Sequence, residues 1–172
     1  QYCTDTQLRA LKAAGWELYN HTRSHGDLSA MSADEITAEI AGGEADLAAI
    51  GLEPTGPKHF AYPFGNFSET VKGILRARGY LSATAVGGNS FTPYMAAKGY
   101  EADEFQVEAT ELNSSVSTGQ AIAELQQAMK YGGILVYLVH HLDPASAGPS
   151  SYLAADFQTV VNAVKAAERA GQ

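Results

Sequence analysis

Residues 20–25 read NHTRSH and follow directly on the apolar-rich GWELY of residues 15–19. A strand-like stretch that runs into two histidines four residues apart raises fold and chemistry together. In proteins built from parallel strands, functional groups gather at the carboxyl ends of the strands. Two further stretches repeat the arrangement. FAYPFG (60–65) leaves a strand through a proline and a glycine. LVHHLD (138–143) ends the most apolar run, Ile134 to Val139, on His140 and His141. In a parallel α/β fold these three strand ends would share one face.

The segments between them fit that fold. Thr4 to Ala14 reads as a short helix with Leu8 and Leu11 three apart, stopped by Gly15. Ser32-Ala-Asp-Glu35 is a capping box before a helix that runs to about Ile50, with Ile36, Ile40, Leu47 and Ile50 as its apolar stripe. KHFAYP (58–63), YLSATAV (80–86) and FQVEATEL (105–112) read as strands, as does WELYN (16–20). Helices are expected before Gly79, over Ser117 to Tyr131, and from about Ala154 to Ala170, and a long surface loop over 87–104. Strands alternating with helices imply parallel βα units, hence an α/β layer or barrel. No repeat, linker or low-complexity tract interrupts the chain, so residues 1–172 are expected to form a single domain.

Composition narrows the function classes. A net charge of −8 argues against nucleic acid as a partner, since binding it requires a lysine and arginine surface. No apolar run approaches the ~18 residues of a membrane span. The single cysteine, Cys3, forms no internal disulfide and excludes a cysteine-based zinc site. The chain starts at Gln1 without a signal peptide, so processing or truncation is expected to have removed what came first.

His21 and His25 are spaced so that both imidazoles can meet one divalent ion such as zinc, nickel or cobalt; two solvated loop histidines is the other reading. Pro63-Phe64-Gly65 makes a rigid turn that can aim the Phe64 backbone N–H at a developing oxyanion, or is an ordinary exit from a strand. Adjacent strand residues face opposite ways, so only one of His140 and His141 readily faces a site. There it could serve as general acid or base, or be a buried histidine with satisfied hydrogen bonds.

Together, AAGWELYNHTRSHGDLS, KHFAYPFGNFSETV, GILRARGYLSATAV, ILVYLVHHLD and the later FQTVVNAV resemble the polysaccharide deacetylases, the NodB-homology domain of carbohydrate esterase family 4. The stretches occur in the family's order over nearly the whole chain. The resemblance implies a distorted (β/α) barrel that removes N- or O-acetyl groups from a glycan such as an N-acetylglucosamine polymer or acetylxylan. It implies that His21 and His25 bind the metal, with zinc favoured and cobalt or nickel as alternatives. The Phe64 N–H, in the turn that Pro63 makes, would complete the oxyanion hole. His140 would be the general acid, with His141 as its fallback, and secretion or residence in the cell envelope would follow from the substrate.

Two features depart from the family. Ala61 stands where an arginine is usual, which is similar to the poly-N-acetylglucosamine deacetylase branch. The family's Asp-Asp pair, catalytic base and third ligand, is absent; Asp5 and Asp27 are poor stand-ins. The expectation is a domain incomplete at both ends, lacking its first strand or strands and its last. The Asp pair would lie on a second chain or a missing segment. A catalytically inactive glycan-binding module and an amidase acting on a non-sugar substrate are the alternatives.

Overall fold

The structure is a computed structural model describing residues 3–86, 92–93 and 103–169. The surface loop expected over 87–104 therefore lies mostly outside the described residues. Two compact units are present: Gln1–Ala85 with Glu104–Gln106, and Val86–Asp103 with Val107–Gln172.

In the first unit, α1 (Asp5–Ala13) opens with a capping box between Thr4 and Gln7. Helix α2 (Ala33–Ala49) opens with the expected box between Ser32 and Glu35 and is followed by Gly51 at φ 65°. Strand β1 (Lys58–Ala61), helix α3 (Glu69–Ala77) and strand β2 (Tyr80–Val86) follow in order. The two strands are parallel, with Phe60 opposite Ala83. The core is built by Ile36 and Ile40 of α2, Val71 and Leu75 of α3, and Phe60, Tyr62, Ala83 and Ala85 from the strand side. Each helical pair is four residues apart and so shares a face. Burying an aliphatic side chain of this size is worth about 1.5–3 kcal/mol. The Tyr62 hydroxyl donates to the Phe105 carbonyl at 2.9 Å, tying 104–106 to this unit.

WELYN does not form the expected strand. Asn20 alone pairs, in an isolated parallel bridge to Phe60. Trp16 and Tyr19 are 63% and 42% exposed, so the segment's large side chains have no buried face to align them.

In the second unit, β3 (Thr92–Pro93) is followed by β4 (Val107–Glu111), α4 (Thr118–Tyr131), β5 (Gly133–Ile134) and β6 (Val136–Leu138). Then come β7 (Leu142–Asp143), β8 (Tyr152–Leu153) and α5 (Ala154–Arg169). Strands β4 and β6 are parallel and place Glu111 opposite Leu138. Leu112, Val116, Ala121, Tyr152 and Val160 form the core, with Tyr137, Val139 and Phe157 packed on it.

The apolar run 134–139 is not one buried strand. It is interrupted at Leu135 between β5 and β6, Val139 lies past the end of β6, and Ile134 is half exposed. Tyr137 and Val139 are two apart and pack on the core, while residues 135–139 are partly buried on both faces and none is fully buried. The turn-rich stretch after His141 holds an unexpected parallel pair, β7 with β8. Among the described residues no helix is long and apolar enough to cross a membrane.

Candidate active site

The histidine loop is built on Asn20, which is buried. Its amide donates to the Ile40 carbonyl at 2.8 Å and the Tyr80 hydroxyl at 2.9 Å, and its carbonyl accepts the Thr22 N–H at 2.9 Å. The Thr22 hydroxyl accepts the His25 N–H at 3.0 Å. The Ser24 N–H reaches Glu39 at 2.8 Å, and Arg23 pairs with Asp46 at 3.2 Å, both carboxylates lying on α2. Such close approach to α2 requires a glycine: a Cβ on Gly43 would lie 2.2 Å from the Asn20 side-chain oxygen Oδ1.

This scaffold brings the rings of His21 and His25 to 4.7 Å between centroids, at 75°. The Phe64 ring lies 4.7 Å from that of His25. His21 Nδ1 is 2.7 Å from the Ala61 carbonyl oxygen. A carbonyl only accepts, so Nδ1 carries the proton and the ring's lone pair is on Nε2. A backbone carbonyl behind one ring nitrogen is the usual way an imidazole is oriented with the other nitrogen as ligand.

Tyr62 leads from β1 into the turn Pro63–Gly65, where the Gly65 N–H returns to the Tyr62 carbonyl at 3.0 Å. Phe64, at its centre, has φ 59° and ψ 4°. Among the described residues the non-glycine positions with positive φ are Thr22, His25 and Phe64. Left-handed backbone costs such residues about 1–3 kcal/mol each and persists only where the surroundings enforce it; it concentrates at functional sites. The N–H groups that open a helical turn have no partner within it, which suits Phe64 to donate to a ligand.

Asp27 ties the two loops together. It accepts from the Ser29 hydroxyl at 2.6 Å and N–H at 2.9 Å, and its second oxygen accepts the Asn66 amide at 2.8 Å. Hydrogen bonds from the Ser29 hydroxyl, then Asn66, then the Ser29 N–H hold its carboxyl below the usual range. Both oxygens are thus engaged in holding the loops.

The donor chemistry fits a divalent ion in part. His21 supplies an imidazole whose Nδ1 bond leaves the lone pair on Nε2, and His25 brings a second ring 4.7 Å away, but among the described residues no group of three His, Cys, Asp or Glu side chains is placed to hold a metal. Asp5 lies at the start of α1.

In the second unit, His140 follows β6 and its Nδ1 is 3.2 Å from a Glu111 carboxylate oxygen at the end of β4. His141 accepts the Tyr152 N–H on its backbone carbonyl at 2.9 Å. The Glu111 carboxylate is thus placed to orient the His140 imidazole. Sequence reading missed Glu111, Asn20 and the Asp27–Asn66 tie. The pattern GG on the inner face of α2 is the one sequence signal that could have pointed to a segment lying against it.

Residues 3–83 match the family model described as polysaccharide deacetylase. No curated protein sequence matches the chain. Among solved structures, a family 4 carbohydrate esterase from Streptomyces lividans, in complex with acetate, is similar at 14% identity and TM-score 0.55, over 94% of this chain and 65% of that one. A deacetylase from Streptococcus pyogenes, also with acetate, is similar at 24% identity and TM-score 0.50, over 62% and 43%. A carbohydrate esterase family 4 pseudoenzyme from Bacillus anthracis is similar at 15% identity and TM-score 0.56, over 97% and 47%. The α/β fold is therefore of the carbohydrate esterase family 4 deacetylase type, and the chain spans less than two thirds of the length of each of these structures.

Proposed function

We propose that this chain, a polysaccharide deacetylase domain of the carbohydrate esterase family 4 type, takes part in metal-assisted hydrolysis of acetyl groups on a glycan. The observation that carries the reading is the His21 Nδ1–H bond to the Ala61 carbonyl, which puts the ring's lone pair on Nε2, with the His25 ring 4.7 Å away. His21 and His25 would hold a divalent ion, zinc in preference to cobalt or nickel. Because a catalytic zinc takes about three protein ligands, a carboxylate from another segment or a second chain completes the set and supplies the base. What such an ion provides when bound is Lewis acidity toward the acetyl carbonyl and the attacking water.

The chain's own residues do the rest. Pro63 fixes the turn that presents the Phe64 N–H to the oxyanion. His140, held by Glu111, protonates the departing amine or alkoxide, with His141 as its fallback. The substrate is an N-acetylglucosamine-type glycan or acetylxylan, which places the protein outside the cell or in its envelope.

Acetate release from acetylated chitooligosaccharides, poly-N-acetylglucosamine and acetylxylan tests the proposal, with the Asp-bearing segment supplied. Release should stop with chelator, return with zinc, cobalt or nickel, and fall at least 100-fold in His21→Ala and His25→Ala. No release under any of these conditions sinks it. The absence of a three-residue metal group among the described residues favours one other reading, an inactive glycan-binding module. Glycan binding that persists in both histidine variants, with no turnover, would select that reading.

A further inference from the structure

Asn20 precedes the histidine pair in sequence and is more deeply buried than any other residue of the NHTRSH segment. It uses both amide functions at once. One end is anchored to fixed points of the unit, the Ile40 carbonyl on α2 and the Tyr80 hydroxyl at the start of β2. The other end accepts the Thr22 N–H, two residues ahead. That bond accompanies a left-handed Thr22 at φ 69°, a conformation a β-branched residue rarely adopts unaided. The reversal throws His21 to the side of β1, where Ala61 offers its carbonyl, and the backbone of the same strand end accepts the segment: the Ala61 N–H donates to the Asn20 carbonyl at 3.3 Å. The Thr22 hydroxyl then fixes the His25 N–H. Both imidazoles thus inherit their placement from one buried amide.

Beneath it, Tyr80 is pushed up to about 12 by burial and stays a neutral phenol. Glu44 is held ionised by Arg78 and Lys58 against the opposing effect of burial. The anchor under Asn20 is therefore uniform across the neutral pH range. Alanine in place of Gly43 would bring a Cβ within 2.2 Å of the Asn20 side-chain oxygen Oδ1 and 3.2 Å of the Thr22 carbonyl carbon. A glycine on α2 is what leaves room for the amide.

We infer that Asn20 is the positioning residue of the histidine pair: it sets the Nδ1–H tautomer of His21 by holding Thr22 left-handed, and Gly43 is the space it needs. The inference rests on the reading of His21 and His25 as ligands for its purpose, but the tautomer can be observed without a metal.

The test is imidazole nitrogen NMR on this chain, labelled at histidine, with and without zinc. In the parent, His21 should show the Nδ1–H form alone. In Asn20→Ala and in Gly43→Ala, each checked for fold by circular dichroism, it should become a mixture in which the solution-preferred Nε2–H form dominates. Zinc affinity read from the His21 and His25 shifts should drop about 10- to 100-fold, as for outer partners of metal ligands. Gly43→Ala removes no hydrogen-bonding group, so it decides the matter should Asn20→Ala fail to fold. An unchanged His21 tautomer in either folded variant overturns the inference. A tautomer that changes while zinc leaves the parent's histidines unmoved supports the positioning role and counts against the metal reading alone.

Discussion

At the scale of single residues, the cost of the site is concentrated in backbone conformation. Phe64 is 63% exposed and makes a ring contact to His25 but fills no core. Its side chain therefore offsets little of the cost of φ 59°. Phe64→Gly should leave stability unchanged or raise it by up to about 1 kcal/mol, whereas Phe64→Val, branched at Cβ, should lower it by about 1–2 kcal/mol. Urea denaturation midpoints check the ordering, and a destabilised glycine variant would show that the ring contact outweighs the strain. Glu111 offers a second test. Glu111→Gln keeps the shape but removes the charge facing His140. It should leave the midpoint within about 0.5 kcal/mol of the parent, because the pair is substantially exposed. In the proposed acetyl hydrolysis it should slow acetate release about tenfold or more.

Helices and strands carry the next set of consequences, and the helical glycines separate two effects that propensity alone would merge. Replacing a mid-helix glycine by alanine gains about 1 kcal/mol where nothing is displaced. Gly73 in α3 has nothing within 4 Å of an added Cβ, so Gly73→Ala should stabilise by that amount. On Gly42 the Cβ would meet Arg23 Cδ at 2.7 Å, part of a largely exposed side chain that can yield. That substitution should be near neutral. On Gly43 it would meet the buried Asn20, and the sign should reverse to a loss of about 1–3 kcal/mol. Thermal melts of the three variants give this order or refute it. The same helices show how far local sequence carries. The capping boxes at Thr4, Ser32 and Ser117 form as their residue types dictate, because each is closed within four residues. WELYN and ILVYLV mislead for the opposite reason: whether a segment pairs, and what it buries, depends on partners remote in sequence, and WELYN pairs only at Asn20. The histidine pair was legible from spacing, and so was the proline turn. Their supports were not, since Ala61 lies 40 residues from His21 and Glu111 lies 29 from His140.

For the molecule as a whole, the balance of charge and local bonding sets the response to acid. The net charge of −8 at pH 7 implies mutual repulsion that weakens as pH falls toward the pI near 5.0, which on its own would stabilise the fold. Opposing it are carboxylates whose ionised form is bonded in the native state. The Ser24 N–H holds Glu39 low, the Ser32 hydroxyl holds Glu35 low, and Asp27 is held low by Ser29 and Asn66. For Glu44, burial pulls upward and is outweighed by hydrogen bonds from Arg78 and Lys58. A carboxyl with a lowered native pKa stabilises fully above its ordinary value and loses that contribution as pH falls through the native one. At 0.15 M salt, repulsion between surface charges more than about 8 Å apart is largely screened, whereas short bonds persist. The local effect should therefore dominate. Stability should be level between pH 7 and about pH 5 and fall below about pH 4.5, first in Gln1–Ala85, where these four groups lie. Amide exchange compared at pH 7 and pH 4 would show protection lost earlier around residues 20–50 than over 118–131. If raising the salt to about 0.5 M shifts the acid midpoint strongly, long-range repulsion governs instead, since at that ionic strength only contacts of a few ångströms escape screening.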